Sequence, residues 1–417
     1  MKKLLLINVS ANSGSTGRIA EEIGQTAISR GYESYFAFGR IGRESKSSLI
    51  RIGNDWDVRW HGLESLLFDN HGFGSRKATN KFISEIERIK PDVINLHNVH
   101  GYYLNVEILF EYLAKTYIPV VWTLHDCWPF TGHCSYFDRY HCEKWKSGCH
   151  HCPNSKGYPK SLLFDRSKTN YARKKELFSR PKNITFVAVC NWMANNVKAS
   201  FLGGYPVETI YNGVDVETFR PRFEGLNGSN SLKAKLGINE NAKVVLGVAS
   251  TWDRRKGLDD FVKLRTMMTD EYAIVLVGLN DKQIAALPEG VLGIKRTESV
   301  DQLAELYSLA DVFVNPTYVD NFPTTNIEAL ACGTPVVTYR TGGSPEAIDE
   351  KTGMVVNQGE MNLLLPSVEF VAKNKPSYTK ACRERVVRMF NKQDRLEDYV
   401  NLFNSLIKKQ SSKPLNV

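Results

Sequence analysis

Two carboxylates carry the first chemical signal in this chain. Asp320 and Glu328 stand eight residues apart, in a stretch that runs from Asn315 through Gly333, Thr334 and Pro335 to Gly342 and Gly343. The order reads strand, loop, helix, strand, Gly-rich turn. Pro323 and Thr324 suit a helix start, with Thr324 as the cap. The unpaired backbone N–H groups of such a start form an anion site. Glu328, one turn further on, can accept two hydrogen bonds from a sugar diol. A lone helix glutamate would mean nothing; the spacing to Asp320 and the flanking glycines give it meaning.

Three adjacent cations, Arg254, Arg255 and Lys256, precede Gly257 and follow the apolar run Val244–Val248. At the carboxyl end of a strand they suit a diphosphate, since arginine offers a planar fork and lysine a point charge. A solvated charge cluster is the plain alternative. Asn12 to Arg18, with Gly14 and Gly17, follows the first apolar run. Small residues there let backbone approach a ligand closely, although Gly-x-x-Gly alone is no dinucleotide fingerprint. His125 ends the run Val120–Leu124, and His97 and His100 follow the run before it. All nine histidines lie in the first 151 residues, so chemistry needing imidazole is confined to that part.

Five of the eight cysteines fall between Cys127 and Cys152. Cys134, Cys142, Cys149 and Cys152 end in a Cys-x-x-Cys, a pattern that suits a structural zinc with no open coordination position. His133, His141, His150 and His151 are alternative ligands, and packed thiols are the plain reading. Lys160 to Lys182 holds eight basic and two acidic residues interleaved with Leu162, Leu163 and Phe164. This reads either as a solvated basic helix or as a surface for an anionic membrane.

Short apolar runs alternating with helical periodicity must position these groups. That alternation predicts α/β architecture with parallel sheets. The pattern restarts at Val244, so two such domains are expected, with a boundary between Asn212 and Asn230. Ligands in open parallel sheets sit outside the carboxyl ends of the strands, and two facing domains would form a cleft. Met1–Ile7 reads as a first strand, because Asn8 and Ser10 end its apolar run short of a signal peptide. The tail from Lys408 is polar and expected to fray. Asp55-Trp56-Asp57 is read as a chance Asp-x-Asp in a loop.

At 417 residues the chain can hold two or three domains. Its 42% hydrophobic and 24% charged composition excludes disordered and fibrous classes. No apolar run approaches the length of a membrane span. The net charge of +9 permits an anionic partner without choosing one.

The stretch around Asp320 and Glu328 resembles the donor-binding motif of the family 4 glycosyltransferases, retaining enzymes of GT-B fold. The family carries two acids separated by seven residues, then a Gly-x-Pro-Val-Val turn and Gly-Gly. The first acid is commonly glutamate, where this chain has Asp320. Lys256-Gly257 matches the family's Lys-Gly, while Thr251 stands where the family usually has an arginine. Either Arg254 or Arg255 is expected to supply that charge. A similar Cys-rich insertion occurs in the colanic-acid branch of the family. The resemblance implies two Rossmann-like domains with parallel sheets facing a cleft: an acceptor domain over 1–215 with the insertion at about 127–160, a donor domain over 216–392, and a C-terminal helix over 393–417 packing back on the first. It implies a hexosyltransferase moving sugar from a nucleotide-diphosphate sugar to a glycan or lipid-linked acceptor in surface polysaccharide (exopolysaccharide or capsule) synthesis. Asp320 with Asn321, Phe322 and Thr324 would face the hexose and diphosphate, and Glu328 the ribose. Gly14 and Gly17 would face acceptor and donor phosphate, and His125 the transferred sugar. The base would sit near Ile294–Thr297. No metal is expected to be needed for transfer, and any zinc would be structural. The expected setting is the cytoplasm, with docking at the inner face of the membrane. A GT-B nucleotide-sugar epimerase is the nearest alternative. A zinc-bearing nucleic-acid binder is remote, since no nucleic-acid module is present and no nucleic-acid partner is expected.

Overall fold

Valine, leucine and isoleucine runs buried on both faces become parallel strands, as expected for sheets covered by helices on each side. The computed structural model describes residues 1–222 and 226–412. One unit comprises Met1–Tyr211 and the chain from Leu396 onward. In order it contains β1 (Lys2–Asn8), α1 (Gly14–Ser29), β2 (Tyr32–Phe38), β3 (Ser48–Arg51), α2 (Asp55–Phe68), α3 (Arg76–Ile89), β4 (Val93–Leu96), α4 (Val106–Lys115), β5 (Val120–Leu124), α5 (Ser167–Phe178), β6 (Ile184–Ala188), α6 (Asn191–Ala199) and β7 (Val207–Thr209). Its seven strands lie in the order β3-β2-β1-β4-β5-β6-β7, all parallel.

The other unit is Asn212–Arg395. It holds α7 (Leu226–Lys235), β8 (Lys243–Val248), α8 (Leu258–Met267), β9 (Tyr272–Val277), α9 (Asp281–Ala285), β10 (Val291–Ile294), α10 (Val300–Leu309), β11 (Val312–Asn315), α11 (Thr324–Ala331), β12 (Val336–Tyr339), β13 (Gly353–Val356), α12 (Met361–Lys373) and α13 (Lys375–Met389). Its parallel order is β10-β9-β8-β11-β12-β13. Both sheets therefore follow the doubly wound scheme, in which the winding reverses beside the first strand. The last helix, α14 (Lys392–Ser411), places Leu396, Tyr399, Val400 and Phe403 in the first unit's core with Leu4, Leu6 and Phe36.

Several local expectations change. Asp55-Trp56-Asp57 is no loop but the first turn of α2. Asn54 caps it, accepting from the Trp56 and Asp57 N–H groups at 2.8 and 3.1 Å, while Asp57 accepts the Asn54 N–H at 2.9 Å. Of the segment Asn12–Arg18 read between the first strand and the first helix, Gly14 and Gly17 lie in the first turns of α1. The helix α7 enters the stretch expected to lack one, and residues 223–225 of that stretch lie outside the described residues. The unit limits fall at Tyr211/Asn212 and Arg395/Leu396. Of the tail expected to fray, α14 continues through Ser411, and residues 413–417 lie outside the described residues.

Candidate active site

In the second unit β8 and β11 are neighbours whose connections leave in opposite directions, so their carboxyl ends frame the ligand position of the fold. After β8, Arg254–Lys256 form one tight turn capped by Asp253, whose Oδ1 accepts the Arg255 N–H at 2.8 Å. Asp253 Oδ2 also accepts from Arg255 Nε at 2.9 Å. Arg255 is thus folded back on its own turn, and Arg254 is exposed. Lys256 reaches the loop after β11, its Nζ 2.5 Å from Asp320 Oδ2. The pair is three-quarters buried, at 27% and 20% side-chain exposure.

Two glycines make that approach possible. Gly257 has φ +74°, and a Cβ there would stand 2.2 Å from the Pro316 carbonyl oxygen. Gly342 has φ +50°, and its Cβ would stand 1.9 Å from the Asp320 carbonyl oxygen. Neither position accepts an L side chain without moving the loop. The Tyr318 N–H donates to the Arg255 carbonyl at 2.7 Å and the Gly343 N–H to the Asn321 carbonyl at 2.8 Å. Below the loop a buried chain of neutral groups fixes its height. Asn315 Nδ2 donates to Asn326 Oδ1 at 2.8 Å, Asn326 Nδ2 to Ser344 Oγ at 2.9 Å, and Thr338 Oγ1 to the Asn315 carbonyl at 2.9 Å. Such a satisfied network rigidifies what stands on it.

The start of α11 corrects one expectation. Its cap is Pro323, in extended backbone and with no side-chain cap bond; Thr324 is the first helical residue. Proline has no side-chain acceptor; the Asn326 N–H turns back to the Pro323 carbonyl at 3.2 Å, and the N–H groups of Thr324 and Thr325 remain oriented toward an anion position. Asn321 and Phe322 are buried, and the Phe322 ring packs 5.6 Å from that of Phe390. What they offer a ligand is backbone. Glu328, half-buried one turn into α11, accepts from Tyr307 Oη at 2.9 Å. Burial, with Glu328 adding to it, holds the Tyr307 phenol well above its ordinary pKa, so it remains a donor. Tyr307 gave no sequence signal: it lies in α10, 21 residues from its partner.

The first unit carries a different set at its own reversal point. Gly14 and Gly17 follow β1, His97 follows β4 and His125 follows β5. His97 Nδ1 stands 2.9 Å from His125 Nε2, and His97 Nε2 stands 3.0 Å from Asn95 Oδ1. Asn95 Nδ2 donates to the Val121 carbonyl at 3.0 Å and to Thr123 Oγ1 at 3.1 Å, which fixes its oxygen toward His97. The tautomers follow by elimination: His97 donates from Nε2 and accepts at Nδ1, so His125 donates from Nε2 and its Nδ1 can only accept. Burial lowers His97 well below the ordinary imidazole value and His125 to about 4. Both shifts favour the neutral rings at pH 7. His100 is paired with buried Asp126 at 2.8 Å, so it braces the strand ends from within.

Cys134, Cys142, Cys149 and Cys152 line one small cavity with His133 and His150, and no cysteine is in a disulfide. Among the described residues, no three His, Cys, Asp or Glu side chains stand ready to hold a metal ion. The basic segment is less solvated than its composition implies. Lys174 is buried, donating to the Trp128 and Thr131 carbonyls at 2.8 and 3.1 Å, and Arg173 lies 3.7 Å over the Phe73 ring. Lys160, Arg166, Lys168, Lys175 and Lys182 remain exposed. Among the described residues no helix is long and apolar enough to cross a membrane.

The family model described as Glycosyltransferase Family 4 matches residues 16–218, and that described as Glycosyl transferases group 1 matches residues 242–373. WcaC of Escherichia coli strain K12, whose name assigns it provisionally to glycosyl transfer in colanic acid biosynthesis, is 26% identical over 97% of this chain and 100% of its own. Among solved structures, sucrose-phosphate synthase from Thermosynechococcus elongatus superposes with a TM-score of 0.72 at 19% identity, covering 98% of this chain and 100% of that one. Anabaena HepE in complex with UDP gives 0.67 at 14% identity, over 97% and 100%. These likenesses show the GT-B fold.

Proposed function

We propose, from the chain's membership of the family 4 glycosyltransferases, that it transfers a sugar from a nucleotide-diphosphate sugar to a growing surface glycan or its lipid-linked precursor. The observation that carries the reading is the Lys256–Asp320 pair beside the start of α11, with Glu328 one turn behind it. A diphosphate arriving there meets Lys256 and the first-turn N–H groups, which are preorganised for the charge that develops as it leaves. Lys256 then exchanges Asp320 for phosphate, and the freed carboxylate faces the sugar. Glu328, oriented by Tyr307, accepts from the ribose hydroxyls. Arg254 is the stronger candidate for a second phosphate cation, because Arg255 is engaged by Asp253. His125, a neutral acceptor at Nδ1, suits a sugar hydroxyl. We infer no protein nucleophile, and a retaining route in which the donor phosphate assists the acceptor's deprotonation. The transfer itself is expected to need no metal.

The test is turnover with UDP-, GDP- and ADP-sugars and a lipid-linked acceptor fraction. Free nucleotide diphosphate should be released only with acceptor present, and the new linkage should keep the donor's anomeric configuration. Interconversion of donor sugars without acceptor would favour an epimerase instead.

Peripheral membrane docking from the cytoplasm belongs to the same reading. Trp56, Trp60 and Leu63, on one stripe of α2, are 75%, 65% and 43% exposed, and Leu162, Leu163 and Phe164 are 55%, 65% and 50% exposed. The Leu162 N–H donates to the Leu66 carbonyl at 2.8 Å, and the Phe164 and Phe68 rings stack at 6.0 Å. The exposed segment 162–164 thus packs at the end of α2, with Arg166 6.0 Å over the Phe164 ring and Lys160 and Lys168 exposed nearby in sequence. Aromatic and basic residues together suit an anionic lipid interface. Flotation with anionic liposomes should exceed that with neutral ones and fall in Trp56→Ser/Trp60→Ser; equal flotation in both lipids would remove the docking claim.

A further inference from the structure

His133 is 3% exposed, yet its Nε2 has no hydrogen-bond partner. Its other nitrogen, Nδ1, stands 2.6 Å from Asp69 Oδ1. Asp69 is itself held on three sides. Its Oδ2 accepts the Arg166 N–H at 2.7 Å, its carbonyl accepts from Asn170 Nδ2 at 2.7 Å, and its own N–H closes α2 on the Ser65 carbonyl at 3.0 Å. A carboxylate at Nδ1 keeps the proton on that nitrogen, so when the ring is neutral its lone pair is on Nε2. A buried polar atom left without a partner is costly, so the arrangement calls for something at Nε2. Carboxylate–imidazole pairs of this kind stand behind metal ligands and fix the tautomer that ligates.

That Nε2 belongs to a residue lining the thiol cavity. Cys134, Cys149 and Cys152 line that cavity with it, and Cys149 Sγ accepts the Gly132 N–H at 3.2 Å. Backbone around the thiols is pinned too: Cys152 N–H donates to Asp165 Oδ2 at 2.7 Å, and Thr131 Oγ1 to the Cys134 carbonyl at 2.5 Å. We propose that Cys134, Cys149, Cys152 and His133 Nε2 form a closed, four-ligand zinc site, with Asp69 as the carboxylate behind the imidazole. Soft sulfur with one imidazole in a tetrahedral set selects zinc over magnesium or calcium. The side chains are not yet at coordinating geometry. Binding turns the thiols inward, and each of the three gives up its proton to solvent as its sulfur bonds the ion. Cys142 lines the same cavity; His133 is assigned in its place because its Nε2 is the buried atom without a partner, and Cys142→Ser decides between them. The site would tie Asp69, next to Phe68, and Asp165, next to Phe164, behind the exposed segment 162–164. The ion would brace that segment and stay out of sugar transfer.

The test uses the full chain, purified under reducing conditions without added metal and analysed for metal by mass spectrometry. About one zinc per chain is expected in the wild type and in Cys142→Ser, with loss in Cys149→Ser and His133→Ala. Asp69→Asn should keep the ligands and weaken zinc about 10–100-fold in competition with a chelating dye. His133→Cys should restore zinc, which a purely packing role for His133 would not do; it also keeps the test open if His133→Ala fails to fold. Alkylation should reach three more thiols after chelation. A wild type without zinc overturns the proposal, as does zinc retained in His133→Ala but lost in Cys142→Ser.

Discussion

The two units have the same strand order at their reversal points and equip them in opposite ways. In the second, β8 and β11 present a lysine and an aspartate, three-quarters buried and paired with each other, beside an uncapped helix start. In the first, β4 and β5 present two imidazoles that burial keeps neutral, aligned by an asparagine. On the proposed function, the charged arrangement suits an anionic leaving group and the neutral one suits hydroxyls, offering fixed donors and acceptors without charge. The difference lies in the residues that follow the strands, not in the sheets.

Breaking the charged side should have the largest effect. Lys256→Ala should lower turnover about 10²–10³-fold, as loss of one preorganised charge at a developing anion does; initial rates at saturating donor measure it, and wild-type turnover would take Lys256 out of the site. On the neutral side, His97→Phe removes the acceptor that aligns His125. Turnover should fall about 5–10-fold, one hydrogen bond's worth, with nucleotide affinity unchanged by calorimetry. A loss of nucleotide affinity instead would blur the division between the units. Tyr307→Phe sharpens the charged side, since it removes only the bond that orients Glu328. Nucleotide affinity should weaken roughly 5-fold with the fold intact.

The smallest effect is a shared one, on stability. His61 and His125 are held to about 4 and His97 well below its ordinary value, in each case chiefly by burial. The unfolded chain therefore binds more protons than the folded one below about pH 6.5, and stability must fall as pH drops from there toward about 4. Above 6.5 these groups contribute no slope. Thermal scans should show a midpoint several degrees lower at pH 5 than at pH 7, and the loss should shrink in His97→Phe. All three histidines lie in the first unit, so a differential scan that resolves two transitions should show the acid shift in one of them.

The sequence marked ionisable groups and imidazoles on both sides and hid the uncharged side chains that orient them. Asp320, Lys256 and Glu328 are ionisable, sit at recognisable spacing and follow buried apolar runs, and β5 has the limits its run, Val120–Leu124, predicts. Such runs exist only where both faces of a strand are buried. The edge strand β3, whose residues are nearly all exposed, gives no such run, and neither does three-residue β7. Tyr307, Asn95 and Asn326 are uncharged side chains whose hydrogen bonds include partners 11–28 residues away, and no local pattern marks them. The Thr324 cap failed for a related reason. Thr324 and Pro323 both suit a helix start, and only the backbone at Pro323 shows which stands outside it. At α2, the capping box from Asn54 was legible, but Trp56 and Trp60 face outward and disguise the helix.

The most direct test of the account is calorimetric titration of the wild type and Glu328→Ala with UDP, GDP and ADP. One nucleotide should bind the wild type and lose about 100-fold or more in the variant, because two hydrogen bonds to a charged carboxylate are worth about 3 kcal/mol or more together. Equal affinity of any nucleotide for both proteins would contradict the placement of the donor at the β8–β11 reversal point.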